Sequence, residues 1–279
     1  RGHLEPNLVV LNAALGACGF GGASGGWERA LVMLGGIALR GLRPDVVTQS
    51  TTIAAFRDAA HWEASLDLFR AFEKRSQRPS TVTLNAAIGI CEKRHAWAPA
   101  LGALAVAPRL ALAPDVVTFN AAMSACEKGQ RWEHALRLLR VGLPSAVVAP
   151  DVISFNTVLV ACACEEGWEQ ALVVLAAMRF AGVASDAATF NALLAACSWG
   201  RRWEAAVELL AEMRRARCEA DEVTFGAAVV ACAGAGALQA AREVLADSVR
   251  GGVPATEVAL GAMLGASTRA RRAQASVHV

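Results

Sequence analysis

Apolar residues recur along this chain at i, i+3, i+4 and i+7, in short runs separated by polar turns. Phe119, Ala122, Met123 and Cys126 fall on one face of a helix, and Trp132, Ala135, Leu136 and Leu139 repeat the spacing after a turn at Glu127–Gln130. Pro150–Asp151 then closes the pair, with Asp151 placed to cap the next helix. The pattern predicts an all-α chain built from helix hairpins.

The hairpins are periodic. Trp27, Trp62, Trp97, Trp132, Trp168 and Trp203 stand 35, 35, 35, 36 and 35 residues apart, and Leu238 continues the series. Asn12, Ser50, Asn85, Asn120, Asn156 and Asn191 keep the same beat, followed by Gly226 and Gly261. Cys18, Phe56, Cys91, Cys126, Cys162, Cys197 and Cys232 form a third series. Seven repeats result, at 8–45, 46–80, 81–115, 116–151, 152–186, 187–221 and 222–256. Residues 1–7 end a preceding repeat, and 257–279 hold a partial eighth and a tail. With positions numbered inside a repeat, the Asn series is position 5, the Cys series 11 and the Trp series 17. Repeat one is long at Gly19–Gly26, and repeat four carries one extra residue near Ser145. A hairpin this short cannot bury both apolar faces alone, so neighbours must stack into an α-solenoid with a continuous core.

At about 100° per residue, positions 4, 7, 8 and 11 share one apolar face. Positions 2, 5, 9 and 13 lie opposite. Position 2 is nonetheless apolar throughout: Val9, Val47, Val82, Val117, Ile153, Ala188, Val223 and Val258. An apolar row turned from the core calls for a partner. Position 5, on the same side, holds five of the six Asn; the sixth, Asn7, stands just before repeat one. Asn is a mediocre helix former, so its confinement to one position asks for a cause. Lys93 and Lys128 occupy position 13 and are candidate phosphate contacts. Position 35 reads Asp45, Ser80, Asp115, Asp151, Asp186, Asp221 and Thr256, all good helix caps, so capping alone would explain it.

Composition narrows the function. The 279 residues carry 27 basic and 25 acidic side chains, for a net charge of +2, so nucleic-acid binding would use a local stripe rather than bulk charge. The uncharged window Thr224–Ala241 contains three Gly and aligns with the other repeats, which argues against a membrane span. The eight Cys include no CxxC pair, and those at position 11 read as small core residues. His3, His61, His95, His134 and His278 fall in no metal-binding arrangement, and Gly19–Gly26 lacks the Lys-Ser/Thr of a phosphate-binding loop. No cofactor, metal or catalytic residue is expected. Arg131, Arg201 and Arg202, in the inter-helix turns, are expected to face solvent. The chain opens on Arg1 rather than Met and reads as a piece of a longer protein.

A 35-residue hairpin with VVTFN at Val116–Asn120, VISFN at Val152–Asn156, AATFN at Ala187–Asn191 and TVTLN at Thr81–Asn85 resembles the pentatricopeptide repeat family. Its second-helix segments WEHALRLL (132–139) and WEAAVELL (203–210) add to the resemblance, which runs from residue 8 to about 265. It implies a right-handed superhelix that binds single-stranded RNA, one base per repeat. Positions 5 and 35 of a repeat jointly read the base, and the position 2 residues of that repeat and the next sandwich it. The implied couples are Asn12/Asp45, Asn85/Asp115, Asn120/Asp151, Asn156/Asp186 and Asn191/Asp221, a combination that in the family favours uracil and then cytosine. Ser50/Ser80 implies weak selectivity with a leaning to purine, and Gly226/Thr256 implies spacing or no base. The register is therefore U-x-U-U-U-U. The family works mainly in mitochondria and plastids, in RNA processing, stability or translation. Two alternatives stay open: a helical scaffold for a protein partner, and the RNA-targeting part of a larger processing enzyme. A partner RNA-processing enzyme also fits.

Overall fold

The computed structural model describes residues 8–20, 25–56, 63–74, 79–164 and 167–277. Those residues are helical, with no strand among them, and they divide into two compact bodies, Arg1–Ala149 and Pro150–Val279. Asn7 and Trp62 lie outside the described residues.

The first body contains α1 (Leu8–Phe20), α2 (Gly26–Leu39), α3 (Val46–Ala54), α4 (Glu63–Lys74), α5 (Thr81–Lys93), α6 (Trp97–Val106), α7 (Val116–Lys128), α8 (Trp132–Arg137) and α9 (Leu143–Ser145). The second contains α10 (Val152–Cys162), α11 (Trp168–Phe180), α12 (Ala187–Trp199), α13 (Trp203–Arg215), α14 (Glu222–Gly234), α15 (Leu238–Arg250) and α16 (Glu257–Val277). In the first body α1, α3, α5 and α7 pack side by side; in the second α10, α12, α14 and α16 do the same. Each second helix lies against its own first helix, and α6, α11 and α13 also pack on the next first helix. Within each body the hairpins thus stack as an α-solenoid.

The interior follows the periodicity. Position 4 supplies Leu84, Phe119, Phe155, Phe190 and Phe225; position 8 supplies Leu15, Ile53, Ile88, Met123, Leu159, Leu194 and Val229; all are buried. Small residues at most of positions 7 and 11, such as Ala87, Ala122, Ala228 and the cysteines, let the helices approach. Cys91, Cys126, Cys162, Cys197 and Cys232 are buried and form no disulfide. Burial pushes Cys91, Cys126, Cys197 and Cys232 up to about 11, so at neutral pH they are packing groups rather than nucleophiles.

Repeat two departs at position 4. Gln49 replaces the aromatic or aliphatic residue and is 2% exposed, and its Oε1 has no hydrogen-bond partner among the described residues. A buried carbonyl oxygen without a donor is costly.

The Trp series joins a second helix to the following turn. Gly129, in the turn after α7, leaves room for Trp97, since a Cβ there would come within 2.6 Å of the indole. Gly200, after α12, makes the same allowance for Trp168, again at 2.6 Å. Next to each glycine an arginine covers the ring: the guanidinium of Arg131 is 5.2 Å from the Trp97 ring centre and that of Arg202 is 5.1 Å from Trp168. Arg131 and Arg202 are exposed, but they do more than face solvent; each is a lid on an indole.

Repeat four accommodates its extra residue as a wide helical turn. Residues Leu138–Gly142 hydrogen-bond in the i→i+5 pattern between α8 and α9, about a turn before Ser145. The hairpin keeps its direction because the insertion widens one turn instead of breaking the helix.

Two stability changes follow. Gln49→Leu removes the unpartnered amide and should raise stability by about 1–3 kcal/mol, measured by chemical denaturation. Gly200→Ala should lower it by about 1–3 kcal/mol, because the added methyl meets a packed bicyclic ring. Neutral outcomes would show that the Gln49 amide is solvated and that the Trp168 ring shifts freely.

Candidate nucleic-acid interface

Each first helix begins at a boundary between repeats, and its first turn has backbone N–H groups with no partner inside the helix. Position 35 satisfies them. The side chain of Asp45 accepts from the Thr48 N–H at 2.7 Å, Ser80 from Thr83 at 3.2 Å, Asp115 from Thr118 at 2.8 Å and Asp151 from Ser154 at 2.8 Å. Asp186 and Asp221 do the same with Thr189 and Thr224, both at 2.8 Å. In every case the hydroxyl three residues on accepts the N–H of the capping residue, completing a capping box.

The position 5 amides converge on these caps from the preceding first helix. Asn12 donates through Nδ2 to both carboxylate oxygens of Asp45, at 3.1 and 3.3 Å. Asn85 donates to Asp115 at 3.4 Å, Asn156 to Asp186 at 3.0 Å and Asn191 to Asp221 at 3.5 Å. The structure therefore brings together four of the couples that the family resemblance implies. Asn120 sits half-buried on α7, and Asp151 caps α10.

A third residue joins each couple that the sequence reading did not single out. The Thr48 hydroxyl donates to Asn12 Oδ1 at 2.7 Å, Thr118 to Asn85 at 2.6 Å, and Thr189 and Thr224 to Asn156 and Asn191, both at 2.7 Å. These threonines, at position 3 of the next repeat, are fully buried. The signal was present as the T of VVTFN, but it lay on neither the core face nor the opposite one.

The carboxylates are held ionised. Partial burial raises the pKa of Asp45, Asp115 and Asp186, yet the Thr N–H, the Thr hydroxyl and the Asn amide together outweigh it and leave each below the ordinary value. For Asp221 the Thr224 N–H is the largest influence, and the result is again a lowered pKa.

The remaining predicted residues fall as follows. Val9, Val47, Val82, Val117, Ile153, Ala188 and Val223 are all exposed, Val82 and Ile153 by 60% and 61%. Position 2 is thus an apolar surface row beside the amides in each body. The Ser50 hydroxyl donates to the Val47 carbonyl at 3.2 Å on its own helix. At Gly226 the space for a position 5 side chain is taken by Thr256, whose Oγ1 would lie 3.1 Å from an added Cβ. Lys93 is exposed at the end of α5. Lys128 is engaged by Glu92 at 2.7 Å, and Glu92 also accepts from Ser124 at 2.9 Å. Among the described residues no group of His, Cys, Asp or Glu is arranged to hold a metal ion, and no helix is long and apolar enough to cross a membrane.

Comparisons with known proteins bear on this arrangement. Family models match three segments: a PPR repeat family model at residues 185–234, a pentatricopeptide repeat domain model at 146–199 and a PPR repeat model at 117–141. No curated protein matches the chain. Among solved structures, the pentatricopeptide repeat protein PPR10 from maize is 23% identical, covering 94% of this chain and 42% of its own, with a TM-score of 0.60. Nuclear proteinaceous RNase P 2 from Arabidopsis thaliana is 16% identical, covering 66% of this chain and 41% of its own, with a TM-score of 0.57. The chain spans less than half the length of either structure.

The depressed carboxylates make a pH prediction. A group whose folded pKa lies below its unfolded value contributes stability above that value and loses it as pH falls through the folded pKa. Thermal stability should therefore hold from neutral pH toward 3.8, the ordinary aspartate value, and fall below it. Asp221→Ser keeps a capping oxygen without the titration, so its melting temperature should fall less steeply on the acid side. An acid limb identical to that of the parent chain would remove Asp221 from the linkage.

Proposed function

Since the chain belongs to the pentatricopeptide repeat family, we propose that it binds single-stranded RNA, reading one base per repeat with a preference for uracil. The observation that carries this reading is the repeated couple at Asn12/Asp45, Asn85/Asp115, Asn156/Asp186 and Asn191/Asp221, each in the same hydrogen-bonded arrangement beside exposed aliphatic side chains.

The chemistry of the couple suits uracil. Its pairing edge offers acceptor, donor, acceptor. One carboxylate oxygen caps the helix, which leaves lone pairs on the other to accept the ring N–H. The amide spends one N–H on Asp and keeps the second for a base carbonyl. Cytosine presents a ring nitrogen acceptor where the carboxylate needs a donor. Position 2 residues of successive repeats supply the apolar clamp that an unstacked base requires.

The register we assign is U-x-U-U-U-U from repeat one to repeat six, 5′ to 3′. At repeat two, Ser50 bonds its own helix and Ser80 serves as a cap, which supports weak selectivity there. At repeat seven, Thr256 stands where a reading side chain would be, which supports a repeat that takes no base. Lys93 and Lys128 are assigned to phosphate contacts, Lys128 by exchanging Glu92 for the backbone. The protein acts in this reading without chemistry of its own, holding organellar RNA in a mitochondrion or plastid for processing, stabilisation or translation, alone or with a processing enzyme.

The test is equilibrium binding at fixed salt to RNAs about twelve nucleotides long, oligo-U against oligo-A and oligo-C. Oligo-U should bind most tightly. Asn156→Ala should erase the preference at the nucleotide facing repeat five and leave the others unchanged. Equal affinity for the three oligomers would defeat the base-reading proposal.

A further inference from the structure

We propose that, where an Asn/Asp couple is present, the position 3 hydroxyl of the following repeat is part of the base-reading site, a positioning residue that turns the Asn amide into a donor and so sets uracil over cytosine. This rests on the reading of the couples as base contacts. The residues are Thr48 for Asn12, Thr118 for Asn85, Thr189 for Asn156 and Thr224 for Asn191.

The argument is one of hydrogen counting. A side-chain amide can lie either way round, presenting N–H or C=O to a base. Here the threonine oxygen already accepts the backbone N–H of the capping Asp, at 3.2 Å from Asp115 to Thr118 and 3.2 Å from Asp186 to Thr189. Its single hydrogen must point elsewhere. Asn Oδ1 and Asp Oδ1 both lie within reach, at 2.6 and 2.7 Å from Thr118 Oγ1. The hydrogen is shared between these two acceptors, and that sharing holds only while the amide oxygen faces the hydroxyl. Were the amide reversed, its oxygen would face a carboxylate, acceptor to acceptor, and the hydroxyl hydrogen would lose its amide acceptor. The threonine therefore fixes Nδ2 toward Asp and leaves the second N–H available to a base.

This orientation distinguishes the two pyrimidines. Uracil places a carbonyl where cytosine places an amino group. A locked donor welcomes the first and meets the second donor to donor. An amide released from the hydroxyl could turn its oxygen to the cytosine amino group. Specificity at this couple then comes from rejecting the wrong partner as well as holding the right one.

The fold supplies an internal control. Thr83 makes the same capping box with Ser80 but faces no amide, because position 5 of the preceding repeat is Ser50, bonded to its own helix. Removing the Thr83 hydroxyl disturbs the Ser80 cap but no Asn/Asp couple.

The experiment measures the binding of the full chain to RNAs that differ only by U or C at the nucleotide facing repeat three. Thr118→Val should reduce the U-over-C ratio there by about fivefold, the factor one neutral hydrogen bond is worth, and leave the other positions unchanged. Thr118→Ser should restore it. Thr83→Val should weaken thermal stability with no change of ratio at the nucleotides facing the Asn/Asp repeats. Thr189→Val, read at the nucleotide facing repeat five, repeats the test should Thr118→Val fail to fold. An unchanged U-over-C ratio in folded valine variants, in a parent chain that does prefer U, overturns the positioning role while leaving the function intact. A parent chain with no preference at these nucleotides overturns the function and the inference with it.

Discussion

A carboxylate has two oxygens, and a helix N-terminus needs only one of them. The rest of this structure depends on that surplus. The stack brings a new helix N-terminus to the surface once per repeat, with backbone donors that must be satisfied. Aspartate meets the need, as serine does after repeat two. But aspartate leaves an ionised acceptor beside the preceding first helix, where an amide can reach it. The structural requirement thus places an acceptor in a row with a period of one repeat, before any ligand is considered. The lowered pKa values of Asp45, Asp115, Asp186 and Asp221 show that these acceptors stay charged through the neutral range.

At α7 and α12 the opposite end of the first helix carries a packed joint. There Trp97 and Trp168 bridge from a second helix to the next inter-helix turn, and glycine at 129 and 200 gives the indole room. Arg131 and Arg202 complete the joint from the solvent side. Rotation of one hairpin against the next would have to open this packed contact. The two ends are separate: the cap end carries the paired polar side chains, and the turn end sets the pitch at which they are presented.

Much of this was legible in the chain because a repeat writes each structural rule several times. The Cys series reads as core since a small apolar residue recurs at a fixed helical angle, and burial at Cys91, Cys126, Cys197 and Cys232 has that cause. The Asn series reads as a site because no packing rule asks for it. The threonines at position 3 were equally periodic yet passed as ordinary, because Thr at N3 is explained by capping alone and its second bond crosses to another repeat. The lids at Arg131 and Arg202 were missed for a related reason: an exposed arginine in a turn looks solvated until the ring beneath it is placed. Gln49 and the wide turn at Leu138–Gly142 are single departures, and one occurrence carries no period to read.

A row of carboxylates is an unusual surface to offer a polyanion, and with a net charge of only +2 little bulk attraction offsets it. A base with no N–H to give would leave each carboxylate desolvated beside a lone pair, an arrangement that costs more than a missing contact. Nearby phosphates add to the cost. On the proposed reading the charge balance favours discrimination over raw affinity: RNA that satisfies every aspartate would be held, and RNA that satisfies few would be repelled by the same groups. On that reading a more basic set of these hairpins would bind RNA more tightly and read it less well.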